Sequence, residues 1–571
     1  MRWNLKSKPD SEKVKSLQNS LSVDELTATL LVQRGIETFE EARQFFRPKL
    51  EDLHDPYLMK DMDKAVARIE KAIKQQENIL VFGDYDVDGT TAVSLVSSYL
   101  RTYYPNVDTY IPDRYDEGYG VSFKGIDYAE DNGITLIIAL DCGIKSIDHV
   151  AYATEKGIDF IICDHHRPGN SLPEAVAILD PKRDDCNYPY DELCGCGIGF
   201  KLLQALAQNR NQTIEDLIPY LDLVATAIGA DIVPMTGENR ILAKFGLEVI
   251  NANPRPGFKA ITQNLKKKQL TISDVVFIIA PRINAAGRIK HGNYAVQLLT
   301  EFGIEEAEAF AKEIEVFNAD RKDLDKQITL QALTQIIDNQ EENRFSTVVY
   351  QEDWHKGVIG IVASRLIETY YRPTLVFTKS GDKLAASARS VKDFDVYNAL
   401  EACSEYLLQF GGHMYAAGLT LEETQFENFK NQFEKVVSET IAEELRTPEI
   451  LIDAEIDLID INEKFIRILK QFEPFGPMNM TPIFLTKNLI DTGYAKKIGS
   501  DEEHLRLFVK QENSEGFGAI GFKMGNKFDI AKERQLFDAV YSIEENEFNG
   551  NVSLQLRLRD IKGKGQDAKK F

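Results

Sequence analysis

Asp84, Asp86 and Asp88 alternate along Gly83-Asp84-Tyr85-Asp86-Val87-Asp88-Gly89-Thr90-Thr91. Asp141 closes an apolar run at Leu140-Asp141-Cys142-Gly143, and Asp164-His165-His166 closes another after Cys163. Asp231 follows in Ala230-Asp231-Ile232-Val233-Pro234, a weak signal by itself. Carboxylates and imidazoles are donors for Mn²⁺, Mg²⁺ or Zn²⁺ rather than for soft metals. Brought together without cations, such carboxylates repel one another and some take up protons, a conflict that bound cations resolve. The chain has only eight histidines, so two side by side at a strand end, among aspartates, favour a metal centre over a structural role. The alternating aspartates also imitate an EF-hand loop. With Asp84 as first position, Gly89 falls correctly at the sixth, but Leu95 stands at the twelfth, where a bidentate Glu is required. Divalent ions held in such a site can lower the pKa of a bound water and neutralise the oxygens of an in-line displacement.

These residues need elements to position them. From Asn78, short apolar runs at 79–82, 108–111, 134–140, 160–163 and 176–179 alternate with helical stretches. This is the pattern of buried parallel strands in an α/β domain. Asp84 follows the first run, Asp141 the third and Asp164 the fourth, and open parallel sheets gather ligands at the carboxyl ends of their strands. Residues 1–77 read as helical, with apolar positions at helical spacing in 22–46 and 62–73. Residues 304–340 read as one long helix, striped by Ala307, Phe310, Ile314, Phe317, Leu324, Ile328, Ala332 and Ile336. A second α/β pattern begins at Ser346, with strands at 348–350, 374–377 and 383–388, helices at 358–370 and 396–403, and a glycine-rich turn at Gly411-Gly412-His413. From about residue 449 the chain is mostly strand (450–458, 482–490, 505–510, 517–522, 537–543 and 552–561), which suits a small β-barrel. Alternate core packing explains most of its aromatic residues, among them Phe508, Phe517, Phe522, Tyr541 and Phe548.

A length of 571 residues implies roughly three or four domains. The net charge of −23 counts against a broad electrostatic footprint on nucleic acid. It leaves room for a narrow basic channel or a metal site that supplies local positive charge. Six cysteines in so long a chain make no disulfide framework. Cys194 and Cys196 lack a second pair at zinc-finger spacing, and Cys142 and Cys163 read as core. No apolar run is long enough to span a bilayer, and the start lacks the apolar core of a signal peptide. The expectation is a cytoplasmic protein without membrane association.

The D-Y-D-x-D-G, L-D-x-G, D-H-H and A-D-x-V-P elements, in this order, resemble the DHH phosphoesterase superfamily. Gly411-Gly412-His413-Met414-Tyr415-Ala416-Ala417-Gly418 resembles the GGHxxAAG motif of the associated DHHA1 domain. The match narrows to the RecJ family through Arg34-Gly35-Ile36, Pro112-Asp113-Arg114 with Glu117-Gly118-Tyr119-Gly120, and Pro281-Arg282-Ile283-Asn284-Ala285-Ala286-Gly287-Arg288. Trp354-His355-Lys356-Gly357, Ser387-Ala388-Arg389-Ser390 and Pro474-Phe475-Gly476 also carry it. The resemblance spans about residues 20–561 and implies the following organisation. A helical leader (1–77) packs on the catalytic domain. A parallel-sheet DHH domain (78–300), a long connecting helix (301–344), a smaller α/β DHHA1 domain (345–447), an OB-type β-barrel (448–562) and a disordered tail (563–571) follow.

The same resemblance implies a 5′→3′ exonuclease specific for single-stranded DNA, acting in recombination and repair with two Mn²⁺ or Mg²⁺ ions. Asp86, Asp88, Asp141, His165 and Asp231 would be metal ligands, with Asp84 a ligand or near neighbour. Asp164 and His166 would orient water or phosphate, and His413 would face the scissile phosphate across a cleft. Arg114, Arg282, Asn284, Arg288, Ser387 and Arg389 would hold the 5′-phosphate and backbone, since an arginine fork binds two oxygens at once. The implied partners are single-stranded DNA, a DNA helicase and a single-strand-binding protein, around a monomeric chain. Two departures stand out. Phe82 replaces a histidine that some superfamily members use as a ligand, and Met478 and Met480 interrupt a turn rich in Gly, Asn and Pro. Alternative readings are a DHH phosphodiesterase acting on short oligonucleotides or cyclic dinucleotides, and a non-catalytic DNA-binding homologue. The retained aspartates and histidines oppose the second of these.

Overall fold

The computed structural model describes every residue except Lys266, Asn513, Asn549, Gly550 and 565–571. The chain divides into two units, one of residues 50–446 and one joining residues 1–49 to 447–571. The first strand, β1 (Arg2–Leu5), belongs to the smaller unit.

In the larger unit, β2 (Asn78–Gly83), β3 (Val107–Tyr110), β4 (Ile134–Leu140), β5 (Asp159–Cys163) and β6 (Ala177–Leu179) form an all-parallel sheet in the order β3-β2-β4-β5-β6. Alternate residues feed two separate cores. Ile79, Val81, Leu136, Ile138, Leu140, Ile161 and Cys163 pack on one face. Leu80, Phe82, Ile137, Ala139, Phe160 and Ile162 pack on the other. Burial on both faces is why these strands read as continuous apolar runs. The chain leaves β2 for one neighbour, β3, then returns to the other, β4. The carboxyl ends of β2 and β4 therefore flank the topological switch point of the sheet, where such folds open a crevice.

The long helix spans Ile304–Asp338 and leads to β7 (Thr347–Tyr350), β8 (Thr374–Ser380), β9 (Lys383–Arg389), β10 (Gln409–His413) and β11 (Ala416–Leu421), a mixed sheet ordered β10-β11-β9-β8-β7. The glycine-rich turn expected at Gly411-Gly412-His413 is instead the end of edge strand β10, paired antiparallel with β11. Gly412 serves close approach, since a Cβ there would lie 2.4 Å from the Ala416 carbonyl oxygen.

The smaller unit continues with β12 (Glu449–Ile452), β13 (Ala454–Glu455), β14 (Phe484–Asp491), β15 (Lys496–Ile498), β16 (His504–Lys510), β17 (Phe517–Gly521), β18 (Phe537–Phe548) and β19 (Asn551–Gly563). Its sheet runs in the order β13-β14-β18-β19-β17-β16-β15. A further β14–β16 pairing, through Ile490–Lys510 and Asp491–Val509, returns the sheet on itself as a five-stranded barrel with β13 and β15 as short additions. The strand expected over 450–458 does not enter this barrel whole. It breaks at Asp453, whose carboxylate is taken by Lys6 and by the Ile483 amide. Strand β12 pairs with β1, and only β13 joins β14. Strand β19 reaches Gly563, whereas 565–571, most of the expected disordered tail, lie outside the described residues.

The single leader expected over 1–77 is corrected. Val14, Leu17, Leu30 and Leu31 share a core with Phe465, Phe472 and Phe484 of the barrel unit. Met59, Met62, Val66 and Ile69 share the core of the parallel sheet. An amphipathic stripe shows that a helix needs a partner surface without saying which surface it is. Arg34 makes the barrel-side assignment specific, donating to Asn479 Oδ1 at 2.9 Å and to the Met480 carbonyl at 2.8 Å.

Candidate active site

The turn after β2 leads directly into the helix Val87–Arg101. Asp86 caps that helix, accepting from the Gly89 amide at 3.1 Å. Gly89 allows the turn to close, because a Cβ there would lie 2.4 Å from the Asp84 carbonyl oxygen. Asp88, in the first turn, accepts from the amides of Gly195 (2.6 Å) and Cys196 (2.7 Å), which begin the helix Gly195–Asn209. Two helix N-termini thus meet at one carboxylate, where amides and helix dipoles favour negative charge. Asp141 follows β4 in a left-handed conformation (φ 59°). Asp231 ends the helix Leu221–Asp231.

These carboxylates converge on one imidazole. His165 Nε2 lies 3.2 Å from Asp141 Oδ1, 3.6 Å from Asp231 Oδ2 and 3.9 Å from Asp88 Oδ2. Burial and the neighbouring His166 push His165 down to about 3, so it is the neutral imidazole that ligation requires. Burial, reinforced by neighbouring carboxylates, raises Asp88 to about 7 and Asp231 to about 8, and lifts Asp84 and Asp141 well above the usual range. Asp84 Oδ2, Asp141 Oδ1 and His165 Nδ1 are buried without a hydrogen-bond partner. Unmet buried acceptors and crowded carboxylates are what a divalent cation would satisfy. Donor atoms of Asp88, His165 and Asp231 lie within 4.8 Å of one another, as do those of Asp141, His165 and His166. Asp84 and Asp86 belong to neither set. Phe82 is buried and stacks on Tyr110 at 5.4 Å.

Asp164 has a different task. It accepts from the amides of Ile144, His165 and His166 and from His166 Nδ1 at 2.8 Å. Burial alone would raise it, but these bonds and the charge of His166 hold it at about 2. Despite burial, the bond to Asp164 in turn raises His166. The His166 Nε2 lies 3.2 Å from the Tyr119 hydroxyl. Exposed His413, on β10, is lowered by partial burial and then by His166, Lys145, Arg167 and Lys182, all from the parallel-sheet domain, so it faces that domain.

Arg114, Arg288 and Arg389 form a second cluster. Arg114 donates to the Gly287 carbonyl at 3.1 Å and lies 3.8 Å above the Tyr85 ring. Arg288 donates to the Gly357 carbonyl at 2.8 Å. Arg389 donates to Ser387 Oγ at 3.0 Å. Burial, then Arg114, Arg389 and Arg321, push Arg288 down to about 10. No carboxylate pairs with any of the three among the described residues. Mutually repelling, half-buried guanidiniums without counter-ions make an anion pocket. Asn284 Oδ1 is buried and unpartnered. Arg282, expected in the same pocket, is instead bound to Glu315 at 2.6 Å and to the Ile278 carbonyl. It shares a helix with Arg288, and six residues are one and two-thirds turns, so the two side chains diverge.

Sequence reasoning missed Asp180. It follows β6 as Asp164 follows β5, is fully buried, and is pushed up to about 7 by burial, with Oδ2 unpartnered. Its place at a strand end was the available signal. Tyr119 was recognised only as part of a motif. On the barrel, Phe517 and Tyr541 are core, while Phe508, Phe522 and Tyr494 are exposed, with Arg557 5.4 Å from the Phe522 ring. The side chain of Phe548 lies outside the described residues. Exposed rings beside cations are platforms for unpaired bases.

Residues 78–228 match the DHH family N-terminal domain, 343–439 the DHHA1 domain and 452–560 the RecJ OB domain. The chain is 36% identical over 567 residues to the single-stranded-DNA-specific exonuclease RecJ of Bacillus subtilis, covering 98% of this chain and 70% of that protein. It is 33% identical to the RecJ of Escherichia coli, covering 94% and 95%. The crystal structure of RecJ in complex with Mn²⁺ from Thermus thermophilus superimposes with a TM-score of 0.84 at 26% identity, over 98% of this chain and 79% of that one. The Mg²⁺ complex from the same organism gives 0.77 at 25% identity, over 98% and 78%.

Proposed function

Because this chain belongs to the RecJ family of DHH phosphoesterases, we propose that it hydrolyses single-stranded DNA from the 5′ end and releases 5′-mononucleotides. The observation that carries this reading is the ring of Asp88, Asp141 and Asp231 about His165 Nε2, together with an arginine pocket lacking counter-ions among the described residues. The enzyme is a metal-dependent exonuclease, and Mn²⁺ or Mg²⁺ is its cofactor. Asp86, Asp88, Asp141, His165 and Asp231 would hold two ions, with Asp84 beside them. When bound, the ions supply charge neutralisation for the phosphate oxygens and activation of the attacking water.

The chain's own residues do the rest. Arg114, Arg288 and Arg389, with Ser387, bind the terminal phosphate and so measure from the end of the strand. Asp164 fixes His166 through Nδ1, leaving Nε2 toward the reacting group, where a positioned imidazole handles a proton. His413 contacts the strand from the opposite side. Strand preference rests on a cleft between the DHH and DHHA1 domains too narrow for a duplex, and on exposed rings of the barrel. A net charge of −23 is compatible with this, because the cations are concentrated where phosphate must sit.

Among the described residues no helix is long and apolar enough to cross a membrane. A cytoplasmic monomer, supplied with single strands by a helicase and a single-strand-binding protein, completes the proposal. The barrel at 452–560 weighs against a phosphodiesterase confined to short oligonucleotides. The deciding experiment uses 5′-labelled single-stranded DNA with Mn²⁺. Labelled mononucleotide should appear first. Release from the 3′ end, or undiminished activity in chelator, would overturn the proposal.

A further inference from the structure

The long helix Ile304–Asp338 borders an open cavity of about 720 Å³, lined also by Phe277, Pro281, Arg282 and Arg365. We infer that this cavity is a second nucleotide site, which takes a nucleoside 5′-monophosphate apart from the cleft that holds the scissile end.

Its charge is the first argument. Arg282, Arg321, Lys322, Lys326 and Arg365 line it against one carboxylate, Asp325. Glu315 occupies Arg282, and Asp325 and Glu368 occupy Arg365. Lys322 and Lys326, one turn apart, have no carboxylate partner among the described residues. In a chain of net charge −23, such a surplus of cations marks an anion site.

Unmet hydrogen bonding is the second, independent argument. Asn318 is fully buried, and its Nδ2 has no partner, while its Oδ1 accepts from Arg321. Arg321 Nε and Thr329 Oγ1 are also buried and unpartnered. All three residues line the same cavity. Buried donors are normally satisfied, and these three unmet groups lie in the wall of one cavity.

The apolar wall supplies the third. Phe277 is 75% exposed and sits on a π-helical turn, Val275–Ile279, a conformation concentrated at functional sites. Leu330 is 66% exposed on the facing helix. A phosphate among cations and a flat base against Phe277 and Leu330 satisfy both halves of the cavity, whose volume suits a ligand of that size. The proposed exonuclease reading supplies only the identity of the nucleotide, since a mononucleotide is what that reaction releases.

The test is calorimetric titration of dAMP into the Mn²⁺-loaded full chain without DNA, in an Arg389→Ala background that weakens the cleft pocket. Saturable binding near one equivalent is expected. Adding Lys322→Glu and Lys326→Glu should weaken it by about ten-fold or more, and Phe277→Ala should weaken it too. Inorganic phosphate and deoxyadenosine should each bind more weakly than dAMP. Absence of saturable binding, binding indifferent to the lysine pair, or phosphate binding as tightly as dAMP would each overturn the proposal. Exonuclease assays on long single strands, with the lysine pair changed in an otherwise native chain, should show activity near that of the unaltered protein. Failure of the unaltered protein in that assay would sink the exonuclease reading while leaving the cavity to be decided by titration.

Discussion

The Gly195 amide donates to the Asp88 carboxylate at 2.6 Å, so the N-terminus of one helix holds the acidic first turn of another. The contact is close because Gly195 has no side chain: a Cβ there would lie 2.5 Å from Asp141 Cβ and 2.8 Å from Asp141 Cα. One glycine therefore sets the spacing of two carboxylates, one in the first turn of a helix and one at a strand end.

Gly195→Ala should displace Asp88 and Asp141 together. A misplacement near 1 Å costs about 100-fold in rate, so exonuclease turnover should fall by about that factor while the circular dichroism spectrum is retained. Unchanged turnover would show that the two carboxylates tolerate repositioning.

Asp141→Asn removes one charge from a crowded buried cluster. Without metal, the variant should melt at a higher temperature than the unaltered protein, because repulsion and charge burial are both relieved. Added Mn²⁺ should raise its melting temperature less, since binding to the folded state stabilises in proportion to affinity, and hydrolysis should be lost. A full Mn²⁺-induced shift in the variant would remove Asp141 from the ligand set.

Stability in chelator should fall as pH rises between about 4 and 8. Asp88 and Asp231 are raised from 3.8 to about 7 and about 8 in the folded chain. Their contribution is full below the unfolded value and is lost as pH passes through the folded values, because the folded state binds more protons in between. Asp164, held at about 2, acts in the opposite sense but only in stronger acid. With Mn²⁺ present the fall should flatten or reverse, since ligation takes the deprotonated carboxylates and releases protons. Melting curves across that range, with and without metal, test this, and a rise with pH in chelator would contradict it.

Arg389→Ala should erode the preference for 5′-phosphorylated over 5′-hydroxyl ends by about 10–100-fold in kcat/KM, the worth of a charge-assisted contact. Arg389→Lys should recover only part, because an ammonium lacks the two-pronged fork. Equal losses on both kinds of end would place Arg389 outside the terminal-phosphate pocket.

The strand ends were legible because a strand buried on both faces must stay apolar throughout, so the first acidic residue marks where the backbone leaves the sheet. Asp84, Asp141 and Asp164 were found that way, and Asp180 would have been by the same rule. Arg282 was misplaced because one motif holds it with Arg288, while helical rotation sends the two apart. Residues 1–49 were misassigned because an apolar stripe carries no address.

The sequence by itself determined the donor types, their strand-end positions and, through motif order, the family. Only the tertiary structure decided which carboxylates meet at His165 and which stand aside. It also sent Asp164 to His166 and left three arginines without counter-ions among the described residues. The reason is that residue type and periodicity are local, whereas strand order 3-2-4-5-6 and the approach of the Gly195 helix depend on packing between segments about 100 residues apart.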